Sequence, residues 1–116
     1  IHTNVTIQKG VIGGETKIGR FSSIDNCIMV GHDTWIGEGV IAAANITFGG
    51  WSEVKDNTFV GVQSCLAPKV VVGKNCKISM GAVVTKDVPD NSQVSGNFAI
   101  DHKIYIEHLK SILNAK

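Results

Sequence analysis

A period of six residues constrains this chain more than any other feature. Steps of six from Ile18 land on Ile18, Ile24, Val30, Ile36, Ala42, Phe48, Val54, Val60, Leu66, Val72, Ile78 and Val84, apolar at every step. Two residues before each stands a small or β-branched residue in most cases, such as Thr16, Ser22, Thr34, Ser52, Thr58 and Ser64. One residue after each, glycine recurs: Gly19, Gly31, Gly37, Gly49, Gly61 and Gly73. Six matches neither the 3.6-residue period of a helix nor the two-residue alternation of a strand. It matches a chain that runs extended for a few residues, turns, and starts again.

In an extended segment, residues two apart face the same way. Both the large and the small member of each hexad therefore point inward. The glycine falls at the turn, where positive φ or close backbone approach is cheap. Three such strands close a triangle, so one coil takes about 18 residues, and successive coils stack at roughly 4.8 Å. The expected fold is an all-β parallel β-helix of hexapeptide repeats enclosing a narrow prism filled with side chains. An ordinary sandwich would not keep one register this long, because its turn spacing is irregular.

The register breaks at both ends. Val5 and Ile7 resemble one more hexad, but "KGVIGGE" interrupts the count before Ile18. After Val84, "TKDVPDNSQVSGN" carries turn residues, with one further strand expected around Ser92–Val94. From Ala99 onward, Ile100, Ile104, Leu109, Ile112 and Leu113 recur at helical spacing. The reading divides the chain into a β-helix domain over 1–98 and a helical tail over 99–116. The helix is expected to cover the end of the β-helix or to dock on a neighbouring subunit.

Bulk composition excludes several classes. The 116 residues allow one domain with a modest core, and the formal net charge is +1. That balance argues against a nucleic-acid surface built on charge. No apolar run reaches the ~18 residues of a membrane span, and no signal peptide opens the chain. The first residue is Ile, not Met, which leaves open a processed or trimmed product that lacks an N-terminal part. Three cysteines without CxxC spacing fit reduced thiols in a cytoplasmic protein.

The hexads, with "NVTIQKG" (4–10), "IGRFSSIDNCIMVGHDTWIGEGVIAAANITFGGW" (18–51) and "VSGNFAIDHKIYIEHLKSI" (94–112), resemble the hexapeptide-repeat acyltransferases. The lipid A branch, with its UDP-3-O-(3-hydroxyacyl)glucosamine N-acyltransferases, is the nearer likeness. The segment "GAVVTKDVPDNSQVSGN" (81–97) is similar instead to acetyl-CoA-dependent sugar and serine O-acetyltransferases. Those often carry Gly-Asn-Pro-Ala where this chain has Gly96, Asn97, Phe98 and Ala99. The resemblance implies a left-handed coil and a homotrimer. It further implies acyl transfer from an acyl-CoA or acyl-carrier-protein thioester to an amine or hydroxyl of a sugar, nucleotide-linked in the expected case. No permanent cofactor is implied.

Such chemistry needs a base for the acceptor proton and donors for the thioester oxyanion. By resemblance His32 is the base. Asp33 either orients a histidine or satisfies turn amides. Gly50, eighteen residues after His32 in sequence, is expected one coil below it. It is an oxyanion donor by resemblance and a turn glycine otherwise. Trp51 lines a ligand groove or packs on a neighbouring subunit. Asn26 is assigned to the acceptor sugar, against a plain turn asparagine. Ala67, Lys69 and Lys86 are assigned to the phosphates and arm of coenzyme A or to an acyl carrier protein, against simple solvated lysines. No metal is expected: the positions eighteen residues either side of His32 are Gly14 and Gly50, and no second histidine converges there. The alternative function is a non-catalytic β-helix scaffold or assembly subunit.

Overall fold

A computed structural model describes residues 1–96 and 99–115. Fourteen strands of two residues each wind as a parallel β-solenoid, followed by one helix, His102–Asn114. The strands form three sheets, one per face of the prism. The first face stacks Thr6–Ile7, Met29–Val30, Thr47–Phe48, Cys65–Leu66 and Val83–Val84. The second stacks Lys17–Ile18, Trp35–Ile36, Glu53–Val54 and Val71–Val72. The third stacks Ser23–Ile24, Ile41–Ala42, Phe59–Val60, Lys77–Ile78 and Gln93–Val94. The strand expected near Ser92–Val94 is this last one.

Each strand from Ser23–Ile24 to Val83–Val84 turns one residue outward and one inward, so the second residue of each of these pairs forms the core. Ile24, Val30, Phe48, Val54, Val60, Val72 and Ile78 are wholly buried. The small position two residues earlier is buried as well: Thr34, Ser52, Thr58 and Ser64 lie inside with their hydroxyls. A buried hydroxyl is costly unless it is hydrogen-bonded. Here the ladder supplies partners. The Thr34 hydroxyl donates to the Gly49 carbonyl at 3.1 Å, Thr58 to Gly73 at 2.7 Å and Ser64 to Gly61 at 2.7 Å.

The corners divide their work between two positions, and of the two uses expected for the glycine after each apolar residue the structure shows close approach. Positive φ does not fall on the residue directly after each inward apolar one. It falls three residues after it, at Phe21, Cys27, Asp33, Gly39, Asn45, Trp51, Asn57, Gln63, Lys69, Asn75 and Gly81. Most of these are not glycine. The glycines directly after the apolar residue answer a different demand, which is close approach of the next coil. A Cβ on Gly61 would stand 2.6 Å from the Met80 backbone nitrogen, and one on Gly49 would stand 2.6 Å from that of Pro68.

The irregular ends also have a register explanation. Lys17 pairs with Trp35 and Met29 with Thr47, each eighteen residues on. Thr6 pairs with Met29, twenty-three residues on, so the first coil carries five extra residues. Val72 bridges Val88 and Lys77 pairs with Gln93, sixteen on in each case, so the last coil is two short.

The helix does not cap the prism. Asp101 caps its N-terminus, its carboxylate accepting from the Lys103 and Ile104 amides. Yet no helix residue is buried and the helix packs on none of the strands. Its apolar side, with Ile104, Leu109, Ile112 and Leu113, stays exposed. The domain boundary expected after residue 98, with Asn97 and Phe98, lies outside the described residues.

The two corner positions should respond in opposite ways to substitution. Gly61→Ala should lower unfolding free energy by about 1–3 kcal/mol, because its Cβ meets backbone. Gln63→Gly should stay within about 1 kcal/mol of the parent, since relief of left-handed strain offsets the added chain entropy. Urea unfolding of both variants checks this contrast.

Candidate active site

The corner between the first and second faces carries most of the chemistry-bearing residues. Met29–Val30 leads into Gly31, His32, Asp33 and Thr34 before Trp35–Ile36 begins the next face. One coil on, Thr47–Phe48 leads into Gly49, Gly50, Trp51 and Ser52. The register Met29↔Thr47 therefore sets His32 against Gly50 and Asp33 against Trp51. The imidazole lies over the glycine: a Cβ built on Gly50 would stand 2.7 Å from His32 Nε2. The Trp51 amide donates to the His32 carbonyl at 2.9 Å, which locks the two corners together.

The ring is held from two more sides. Its Nδ1 lies 3.1 Å from Asp33 Oδ2. Two neighbours on an extended strand would point apart. Asp33 is not extended; it has φ 58, and that left-handed turn swings its carboxylate back toward His32. The Trp51 indole meets the imidazole edge-on, with ring centroids 4.4 Å apart and planes at 88°. An acceptor on Nδ1 selects the neutral tautomer with the proton on Nδ1, which leaves Nε2 as the free acceptor of a ring whose face lies over Gly50. Asp33 is buried at 8% exposure. The Val11 amide donating to it holds its carboxyl below the usual carboxylate range. Desolvation opposes this, and the His32 ring adds to the lowering.

Gly50 differs from the equivalent residues at two other corners, Glu38 and Lys74. The Glu38 amide is taken by Asp56 Oδ1 at 2.9 Å, and the Lys74 amide by Asp90 Oδ1 at 2.8 Å, each a side chain one coil on. One coil beyond Gly50 stands Pro68, which has no acceptor side chain. Among the described residues no acceptor takes the Gly50 N–H. It is a bare amide under the face of the imidazole ring.

No protein-family model matches the chain. In sequence it is 34% identical over 120 residues to the bifunctional protein GlmU of Listeria monocytogenes serotype 4a (strain HCC23), an alignment of 94% of this chain and 25% of that protein. It is 31% identical over 96 residues to the UDP-3-O-acylglucosamine N-acyltransferase of Caulobacter sp. (strain K31), covering 83% of this chain and 28% of that one. The chain thus spans about a quarter of the length of the curated relatives it matches. In structure it is similar to the acetyltransferase domain of PglB from Neisseria gonorrhoeae FA1090 in complex with acetyl coenzyme A. The TM-score is 0.61 at 19% identity, covering 84% of this chain and 54% of that one. A GDP-perosamine N-acetyl transferase mutant from Caulobacter crescentus, in complex with CoA and GDP-perosamine, gives a TM-score of 0.52 at 20% identity over the same shares. This chain is a hexapeptide-repeat β-helix.

On this β-helix, His32, Asp33, Gly50, Trp51, Ala67 and Lys69 share one corner, and the pairing of Leu66 with Val84 brings Lys86 to it one coil further on. The Lys69 ammonium lies 5.7 Å from the Trp51 ring centroid. Asn26 is the exception. It sits at the corner between the third and first faces, on the far edge of the first sheet from His32. Its Oδ1 accepts from the Thr3 amide at 2.9 Å. Gly14 is not the upper neighbour of His32 either. The five extra residues in the first coil shift it against the Asp33 carboxylate.

Gln8, Val11 and Thr16 also belong to this corner, though none was picked out as a site residue from sequence. The break in the hexad count at "KGVIGGE" was the available signal. No group of three or more His, Cys, Asp or Glu side chains converges among the described residues, and no helix there is long and apolar enough to cross a membrane. A groove of about 710 Å³ runs along the second face past Lys17, Trp35, Glu53 and Lys74, but His32 does not line it.

Because the folded pKa of Asp33 lies below the usual 3.8, its ionised form stabilises the fold at pH values above 3.8. That contribution disappears as pH falls through the lower folded value. The stability gap between the parent and Asp33→Asn should be widest above about pH 5 and shrink below 3.8, as measured by urea unfolding across a pH series.

Proposed function

We infer that this chain is the catalytic β-helix of an acyltransferase. It moves an acyl group from a coenzyme A or acyl-carrier-protein thioester to an amine or hydroxyl of a sugar, nucleotide-linked in the favoured case. The observation that carries the reading is the His32 imidazole set over the unengaged Gly50 amide. The names of the similar proteins supply the reaction class: one is an N-acyltransferase of an acylglucosamine and one an acetyltransferase domain holding acetyl coenzyme A.

The acceptor's nitrogen or oxygen attacks the thioester carbonyl carbon as His32 Nε2 takes its proton. The carbonyl oxygen becomes an oxyanion, which the Gly50 N–H stabilises. The carbon–sulfur bond then breaks. The thiolate leaves and takes up the proton from the imidazolium, which returns His32 to its starting state. Asp33 keeps the proton on Nδ1 and balances the imidazolium charge. No covalent enzyme intermediate is required.

Trp51, Ala67, Lys69 and Lys86 run away from Gly50 along the same corner, so the donor's arm and phosphates are assigned there. Asn26 retains an acceptor role only if another copy brings it to this corner, because its own edge is separate. The His32 corner lies on a flat solid, and an enclosing groove needs a second wall. A homotrimer with the site between prisms supplies it.

Thiol release should be followed with acetyl-CoA and a long-chain acyl-carrier-protein thioester against a panel of amino sugars. His32→Ala should cut turnover by at least about 100-fold with little change in melting temperature. Gly50→Ala should also impair turnover, since its Cβ displaces the ring. Turnover that survives His32→Ala would leave the scaffold reading in place. Sedimentation should return a trimer; an active monomer would remove the shared-site part.

A further inference from the structure

We propose that the irregular excursion Gln8–Thr16 is a positioning element for the imidazole, with Thr16 and Gln8 as its positioning residues. The proposal rests on the acyltransferase reading for its catalytic consequence, though not for its structural content. The five extra residues that break the register occur in the coil directly above His32 and nowhere else in the regular stack. Their hydrogen bonds converge on residues 32 and 33.

The Thr16 hydroxyl donates to the Gln8 carbonyl at 2.6 Å and accepts from the Asp33 amide at 2.8 Å. One oxygen thus ties the two ends of the excursion to each other and to the base's neighbour. The Gln8 side-chain Oε1 accepts from the His32 amide at 3.1 Å. From the middle of the excursion, the Val11 amide donates to Asp33 Oδ2 at 3.1 Å. That is the same oxygen that faces His32 Nδ1 at 3.1 Å.

The carboxylate that fixes the ring is therefore fixed in turn by the excursion. Gly14 packs against Asp33 where any Cβ would collide with the carboxylate, so the excursion must be glycine there to close on it. Regular hexads also use an inward hydroxyl in this way, as Ser22 accepts from the Val40 amide and Thr58 from the Cys76 amide, but they offer no counterpart to the Gln8 and Val11 contacts. At other corners, such as Glu38 and Lys74, the amide equivalent to that of His32 is capped from the coil below. At His32 it is capped from the excursion above, by the Gln8 side chain.

Thr16 touches neither the imidazole nor the Gly50 amide, so its effect must pass through Asp33 and the ring tautomer. In the acyl-transfer assay, Thr16→Val should lower kcat roughly 10- to 100-fold while KM for the donor thioester stays within about twofold. Thr16→Ser, which keeps the hydroxyl, should restore most of the rate. Gln8→Leu should lower kcat in the same direction.

Nitrogen-15 NMR of the His32 ring gives a readout that needs no substrate. The parent should show Nδ1 protonated in the neutral form, and Thr16→Val and Gln8→Leu should shift toward a tautomer mixture. Unchanged ring shifts in both variants would overturn the proposal even if both lost activity. Rates within twofold of the parent in both variants, with His32→Ala inactive, would overturn it as well. If His32→Ala itself stays active, the acyltransferase reading fails, and the ring spectrum alone decides whether the excursion holds the base.

Discussion

The rest of the structure depends on one constraint: backbone ladders that run parallel with an eighteen-residue return. Each coil gives its amides to the carbonyls of the next, as Gly31 does to Phe48 and Gly49 to Leu66. Once that return is fixed, positions eighteen apart stack in columns along the prism. A column is what converts a linear spacing into a site. His32 meets Gly50 because the ladder permits no other partner in the regular part of the stack.

The same ladder accounts for the polar interior. A prism this narrow cannot hold a large side chain at both inward positions of every hexad. The smaller one is often Ser or Thr, whose hydroxyl reaches a carbonyl at the corner. No buried side-chain nitrogen or oxygen among the described residues lacks a partner. The hydroxyls therefore act as small fillers that cost little, since the carbonyls they reach are already presented to the interior. The corners carry a separate burden. One position must admit the next coil's backbone and selects glycine. Another must turn left-handed, and there Asn, Asp, Trp and Lys all occur. That tolerance lets a left-handed corner carry Asp33 or Trp51, which a strict glycine rule would exclude.

Much of this was legible from the residues. The inward apolar column from Ile24 to Val84 follows directly from the period, as does the helix over the tail. His32 and Gly50 were placed in one column by counting, because no insertion separates them. The counting failed where the period failed. Gly14 stands eighteen residues before His32 in the count, but the excursion sets it against Asp33. For the glycine after each apolar position the residues leave two uses open, positive φ or close approach, because the hexad pattern alone does not say which corner residue turns left-handed. Asn26 illustrates a different limit. It lies six residues before His32, so it falls on the neighbouring corner, and only the assembly of the three faces makes that separation plain.

By itself, the sequence determined the solenoid, its core column and the pairing of an imidazole with a glycine one coil away. These follow from a strict period, and a period is a local property that stacking simply repeats. The tertiary structure alone decided the state of the site. It turned the Asp33 carboxylate onto the ring through a left-handed φ, and it left the Gly50 amide bare by setting Pro68 beneath it. It also folded the Gln8–Thr16 excursion onto residues 32 and 33. Each of these rests on hydrogen bonds between residues in different coils, or on a single backbone torsion, and neither leaves a periodic trace in the order of the amino acids.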